Sequence, residues 1–399
     1  MHPKLLTLPG GLTVTTYGFF LMIGFLSAVW FAMRRARRVK VDPDRVLDLS
    51  FFALIFGVGG ARLMYVIHYW RSSFADQPNQ LLAIVDIRNG GLEFLGGLLG
   101  ASAAILTYLL ITRQSIRLYL DILAPGAMWG LAFGRLGCFF NGCCFGGLCS
   151  MAAAPVDAAA PVWAVRFPFG GLAHMRQWEE REVAVPAELI VTHGLGASLL
   201  PSAALSDPYE KRKRILTAYD NAVRAVALAR KNEAPAEELK RAEAALAAAD
   251  RLLTDNHLKD LRRALRYPSR KEPKRTIALS ELEALASASR SKPVYATQLF
   301  SSMHGFILSL FLSCVFYIRK RHGVVIGLLF LMYPLARIPL EIIRADNPHD
   351  VGGLTISQSL SLAMSVGALV YLVILFKALP ERSPVIATMK PVVEQKPTA

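Results

Sequence analysis

Four charged side chains interrupt long apolar runs of this chain. Arg62 lies in Gly59-Gly60-Ala61-Arg62-Leu63 and Arg135 in Gly134-Arg135-Leu136-Gly137, while Arg337 and Glu341 stand four residues apart. An ionisable group in an apolar segment is expensive and turns toward the protein interior, so each is a candidate functional residue. Guanidinium is permanently charged and grips phosphate with paired donors. Several arginines arriving from different segments therefore point to a phosphate or phospholipid-headgroup site. The competing reading applies to Arg337 and Glu341, which share one helix face and could simply form an ion pair locking two helices. Arg88, Glu93 and Arg344 sit near the ends of apolar runs.

The elements that must hold these residues are legible in the composition. The 399 residues are 53% hydrophobic and 19% charged, with mean hydropathy +0.37 and formal net charge +15. The apolar residues come in blocks, which excludes a disordered chain or a disulfide-stapled mini-protein and argues against a water-soluble enzyme. A helix crossing the bilayer needs about 20 mostly apolar residues. Seven segments meet that requirement approximately: 17–33, 47–68, 92–112, 120–140, 297–318, 324–343 and 354–376. The expected fold is an all-α polytopic membrane protein with spans in 1–149 and 294–379, a head over 150–293 and a tail over 380–399.

Basic residues in short loops set orientation. Arg34, Arg35, Arg37, Arg38, Lys40 and Arg45 follow the first span, Arg113 and Arg117 the third, and Arg319, Lys320 and Arg321 the fifth. Lys377, Arg382, Lys390 and Lys396 follow the seventh. These ends share one side, which reads as cytoplasmic. The N-terminus and the long insert are then periplasmic and the C-terminus cytoplasmic. The first apolar segment has no basic region before it and no small-residue cleavage site, so it reads as a retained span.

Within the insert, Ser150 to Pro186 reads as irregular loop. A helical pattern begins near Pro208, with Ile215, Tyr219, Val223 and Val226, then Leu239, Leu246, Leu253, Leu258, Leu261 and Leu265, at helical spacing. A turn around Pro235 makes this a helical hairpin over about 208–267. Its basic residues, Lys211 to Arg214 with Arg262, Arg263 and Arg266, read as a solvated face, or alternatively as a contact for anionic lipid or a partner. Residues 150–293 hold 23 basic and 18 acidic residues, so most of the net charge lies on the cytoplasmic loops. That distribution is membrane topology, and it removes nucleic acid as the reason for the charge.

The motifs, in order, resemble the prolipoprotein diacylglyceryl transferase family. His2-Pro3 followed by Thr15-Thr16-Tyr17-Gly18 is similar to the family's start, and Gly60-Ala61-Arg62-Leu63 to its second span. The run Arg88-Asn89-Gly90-Gly91-Leu92-Glu93-Phe94-Leu95-Gly96-Gly97 resembles Arg-x-Gly-Gly-x-x-Phe-His-Gly-Gly. Residues 134–146 resemble Gly-Arg-x-Gly-Asn-Phe-x-Asn-Gly-Glu-x-x-Gly, and Pro293 to Phe300, with Gln298-Leu299, resembles Pro-x-Gln-Leu-Tyr-Glu. Tyr333, Arg337, Glu341 and Arg344 match Tyr-x-x-x-Arg-x-x-x-Glu-x-x-Arg, and Gly353 to Gln358 matches the entry to the last span.

The resemblance implies transfer of a diacylglyceryl group from phosphatidylglycerol to the lipobox cysteine thiol of a prolipoprotein, at the bacterial inner membrane. It implies glycerol phosphate as leaving group and no metal or redox cofactor. By the same resemblance, Arg135 and Arg337 would hold the phosphate, Glu341 would orient Arg337, and Tyr17 and Tyr333 would line the pocket. Arg62, Arg88 and Arg344 would contact substrate, and Asn141, Gly142 and Gly146 would shape the outer end of the fourth span.

Three positions depart from the pattern: Leu95 replaces the family's His, Cys138 its Asn and Cys143 its Glu. The thiol must lose a proton, because thiolate is the nucleophile. Glu93, His304 and His68 are the replacement candidates for a base, with deprotonation aided by arginine alone as a further route. Cys138, Cys143, Cys144 and Cys149 fit no common zinc spacing; a Cys144–Cys149 disulfide, a relay thiol and simple packing remain open. The departures keep a same-fold paralogue with lost or altered activity in view. A transporter is the third class, but no convincing internal repeat supports it.

Overall fold

The computed structural model describes residues 4–7, 13–75, 79–86, 90–149, 161, 163–193, 196–266, 276–343, 349–351 and 354–378. They fall into two compact units, one within Asn141–Ala296 and one within His2–Phe140 and Thr297–Ala399.

The second unit holds, among the described residues, seven helices long and apolar enough to cross a membrane. They are α1 (Thr16–Arg38), α2 (Pro43–His68), α4 (Phe94–Ile111), α5 (Ile116–Asn141), α12 (Thr297–Ile318), α13 (Val324–Ile342) and α14 (Ile356–Lys377), with a short α3 (Gln80–Val85) between the second and third spans. Between 11% and 39% of each span's apolar window is buried, and leucines such as Leu26, Leu99, Leu110 and Leu310 are exposed. In water that surface would be unstable, whereas lipid is its natural solvent. The chain is therefore a multi-pass, all-α membrane protein.

Cap chemistry sets the span ends. Thr15 Oγ1 accepts from Gly18 N at 3.1 Å at the start of α1. Thr355 and Gln358 form a reciprocal capping box at the start of α14. The start of α13 is capped from another helix: Asp121, fully buried on α5, accepts from Gly323 N at 2.8 Å and Ile326 N at 3.0 Å. Asp121 also pairs with Arg319 at 2.9 Å. Leu49, Ile122, Leu308, Leu312, Phe316 and Val325 form the buried centre between these helices.

Two basic residues that read from sequence as orienting loop charges have a second role here. Arg319 is 5% exposed and held by Asp121. Arg35 falls inside the last turns of α1, donating to Ile122 O at 3.3 Å and Ser313 Oγ at 3.0 Å.

The unit within Asn141–Ala296 contains the hairpin, α8 (Tyr209–Lys231) and α9 (Ala236–Asp255), with the turn near Pro235. It is flanked by α6 (Leu172–Glu179), α7 (Ala203–Ser206), α10 (Lys259–Arg266) and α11 (Leu279–Ala288). Short antiparallel pairs join Ile190–His193 to Gly196–Leu199, and Ala164–Val165 to Val294–Tyr295. The core gathers Leu189, Leu200, Leu253, Leu258, Leu261 and Leu282.

Two expectations change in this unit. The stretch expected to be irregular contains α6, whose eight residues are too short a signal to stand out among Ala, Pro and Gly. Nor is the basic face of the hairpin uniformly solvated. Arg212 is buried against Glu283, and Arg262 stacks on Tyr219 while pairing with Asp220 at 3.1 Å.

Candidate active site

The cavity that collects the chemistry lies among α5, α12 and α13. It is lined by Leu131, Arg135, Ser301, His304, Tyr333, Arg337, Leu340 and Glu341, and its empty space, including the part open to the outside, is about 330 Å³. Helical spacing explains the set. Leu131 and Arg135 are four apart on α5, Ser301 and His304 three apart on α12, and Tyr333, Arg337 and Glu341 repeat every fourth residue on α13.

Small residues bring α12 onto α5. Ser302 Oγ donates to Ala132 O at 2.9 Å and Ser309 Oγ donates to Pro125 O at 2.7 Å. At Gly305 a Cβ would lie 3.0 Å from Ala132 Cβ and 3.2 Å from Met128 O, so a larger residue would push α5 and α12 apart by a few tenths of an ångström. These contacts bracket His304 and seat it in the cavity with Arg135. The imidazole also stacks on Tyr333, with ring centroids 6.1 Å apart and planes 22° apart.

Arg337 is fixed from two sides. Its Nη2 lies 3.5 Å from Glu341 Oε2, and its Nε donates to Ser357 Oγ at 2.9 Å. Glu341 is 3% exposed, so the carboxylate that holds Arg337 is itself buried. The role of Ser357 is hard to foresee, since it stands on α14, twenty residues beyond Arg337, and nothing in its own spacing marks it. Ser301 is similarly inconspicuous, its signal being only its position one turn before His304. Tyr17 packs against Gly137, where a Cβ would lie 3.0 Å from its ring, but is not among the cavity-lining residues.

Arg62 lies elsewhere. Its Nε donates to Ile84 O at 2.7 Å, its Nη1 to Gly90 O and Gly91 O at 3.0 and 2.9 Å, and its Nη2 to Ala83 O and Asp86 O at 2.7 and 2.8 Å. All five guanidinium N–H groups are thus used on backbone carbonyls. The rings of Tyr65 and Phe74 lie 5.5 and 5.4 Å from the same guanidinium. Gly91, at φ +78°, favours glycine: a Cβ there would lie 2.5 Å from Arg62 Nη1 and 2.6 Å from Tyr65 Cε1.

Close by in sequence, α2 and α4 cross on bare backbone. A Cβ on Gly60 would lie 2.4 Å from Gly96 O, and one on Gly100 would lie 2.3 Å from Phe56 O. At the ends of those helices His68 Nδ1 lies 2.8 and 2.9 Å from the two oxygens of Glu93. Two candidate bases are therefore partners of each other, with His68 exposed and Glu93 half-buried.

Asn141, Gly142 and Gly146 belong to the Asn141–Ala296 unit. Gly142 adopts φ +78° and Gly146 N donates to Tyr295 O at 2.9 Å, so both glycines shape backbone there. Cys149 is a free thiol, so no Cys144–Cys149 disulfide forms, and burial raises its pKa. Arg88 and Arg344 lie outside the described residues, as do His2-Pro3.

Fold and site together define a polytopic membrane protein with paired arginines facing a cavity within its spans. A family model for prolipoprotein diacylglyceryl transferase matches residues 3–374. The chain belongs to the prolipoprotein diacylglyceryl transferase family and is a transferase. The phosphatidylglycerol–prolipoprotein diacylglyceryl transferase of Rhodopirellula baltica is 29% identical over 402 residues, covering 94% of this chain and 75% of that protein. The enzymes of that name from Photobacterium profundum and Aliivibrio salmonicida are 36% and 35% identical over 43% and 41% of this chain. Those alignments span 60% and 53% of the two relatives' lengths.

Proposed function

We propose that this chain transfers the diacylglyceryl group of phosphatidylglycerol to the lipobox cysteine of a prolipoprotein, the first step of lipoprotein maturation. The observation that carries this reading is the shared cavity. Arg135 and Arg337 come from different helices, and beside Arg337 lies a buried carboxylate that holds it. Arg135 and Arg337 bind the headgroup phosphate and stabilise the charge that grows on it as the glycerol carbon–oxygen bond breaks. Glu341 and Ser357 aim Arg337, and Tyr333 lines the lipid's path. Tyr17 acts from beside Gly137, and the family resemblance assigns Arg88, Arg344, Asn141, Gly142 and Gly146 to substrate contact. The reaction runs without metal or redox cofactor.

The enzyme works in the bacterial inner membrane, with the N-terminus and head periplasmic and the basic tail cytoplasmic. Its partners are the bilayer, phosphatidylglycerol and the precursor's signal peptide. Leu95, Cys138 and Cys143 favour a second reading, a family member with a changed acceptor.

The test is transfer by the purified full-length chain in mixed micelles of phosphatidylglycerol and a lipobox peptide. The proposal expects the peptide to gain the diacylglyceryl mass while glycerol phosphate appears in equal amount. A well-inserted chain that modifies no lipobox peptide contradicts it. Modification of a different nucleophile alone would establish the second reading.

A further inference from the structure

Resting on that function, the transfer requires a group that takes the thiol proton, and the cavity narrows the choice. The two guanidiniums are permanently protonated and cannot accept. The Glu341 carboxylate is buried beside Arg337. The Ser301 hydroxyl and the Tyr333 phenol are not bases near neutral pH. Among the described residues lining the cavity, that leaves the imidazole of His304, a group that takes and returns a proton near neutral pH. Its position is built in: Ser302 and Gly305 hold its helix on α5, and its ring lies along Tyr333. The His68–Glu93 pair has the chemistry of a base, but neither residue lines the cavity.

We propose that His304 is the general base of the transfer. A ring nitrogen of His304 takes the proton from the lipobox thiol. The thiolate attacks the glycerol carbon, forming the C–S bond as the C–O bond to phosphate breaks. The electron pair leaves on the phosphate oxygen, between Arg135 and Arg337. The imidazolium then returns its proton to the departing glycerol phosphate, so charge and atoms balance.

The test compares the wild-type chain, His304→Gln and His68→Gln in the same micelles, from about pH 6 to about pH 9.5. A general base contributes about 10²–10⁴-fold. His304→Gln should lose that much kcat near pH 7 while KM for phosphatidylglycerol stays within about twofold. Its rate should climb back as pH passes the thiol's own pKa of about 8.5, where no base is needed. A peptide with selenocysteine in place of the lipobox cysteine, already ionised at neutral pH, should restore His304→Gln close to the wild-type rate. That restoration also shows that the variant is folded.

Wild-type kcat and pH profile in His304→Gln overturn the proposal. Loss on both peptides at every pH also overturns it, by making the residue structural. Loss of the pH dependence in His68→Gln alone overturns it in favour of the His68–Glu93 pair. A wild-type chain that transfers nothing overturns the parent function itself, a result distinct from all three.

Discussion

Two regions of the membrane unit hold arginines in apolar surroundings, and they use them oppositely. Arg62 spends every donor on carbonyls of residues 83–91 and is packed beside two aromatic rings. Arg135 and Arg337 face a cavity, and Arg337 is anchored through one carboxylate and one hydroxyl. An arginine within an apolar span is thus by itself no signature of catalysis. The cage of carbonyls around Arg62 uses up its donors, whereas Arg135 and Arg337 line a cavity.

The largest effect that would break this contrast is on activity. Arg135→Ala and Arg337→Ala should each lower kcat/KM by about 100-fold or more, because each removes a donor that acts on developing charge. Arg337→Lys should recover little, since a point charge cannot replace a fork. Steady-state transfer assays on the purified variants check this, and near-wild-type rates would void the phosphate-site argument.

Next comes a loss of stability without selective loss of chemistry. Arg319→Ala strands the buried Asp121 carboxylate and should cost about 3–5 kcal/mol. Thermal unfolding in detergent should register the drop, with transfer per folded molecule unchanged. This residue makes a poor neutral control for the cavity, although its place after the fifth span suggests one.

A smaller penalty is expected at the cage. Gly91→Ala meets both a left-handed backbone and the Arg62 guanidinium, and should destabilise by about 1–3 kcal/mol. A Tm fall with intact KM for phosphatidylglycerol would place Arg62 with the scaffold. A raised KM with unchanged Tm would return it to the substrate.

The smallest effect lies in the other unit. His174 is fully buried, its Nε2 lies 3.1 Å from Ser289 Oγ, and burial lowers its pKa. The unfolded chain then binds this proton more readily than the folded one, so stability falls as pH drops through the unfolded value of about 6.5. His174→Gln should reduce that acid sensitivity, read as the change in Tm between about pH 7.5 and about pH 5.5.

Much of this contrast was readable in the sequence, and the part that was not has a physical cause. Seven spans follow from apolar blocks, Arg135, Arg337 and Glu341 follow from charges within them, and Tyr333 follows only from the family resemblance. His304 is visible as a candidate but not as a neighbour of Arg135, because that depends on how Ser302, Gly305 and Ser309 dock α12 on α5. The cage around Arg62 is invisible because its partners are backbone carbonyls, which carry no residue identity. The burial of Arg35 and Arg319 is hidden for a related reason. A basic residue at a span end obeys the orientation rule whether it faces water or a buried partner.

We propose that phosphatidylglycerol is consumed in the Arg135–Arg337 cavity. The most direct measurement is made in a bacterium whose own transferase is switched off, following lipoprotein modification by gel shift. The wild-type chain should restore modification, whereas Arg135→Ala, inserted to the same level, should not. Modification by Arg135→Ala equal to the wild type, or none by a well-inserted wild-type chain, would contradict it.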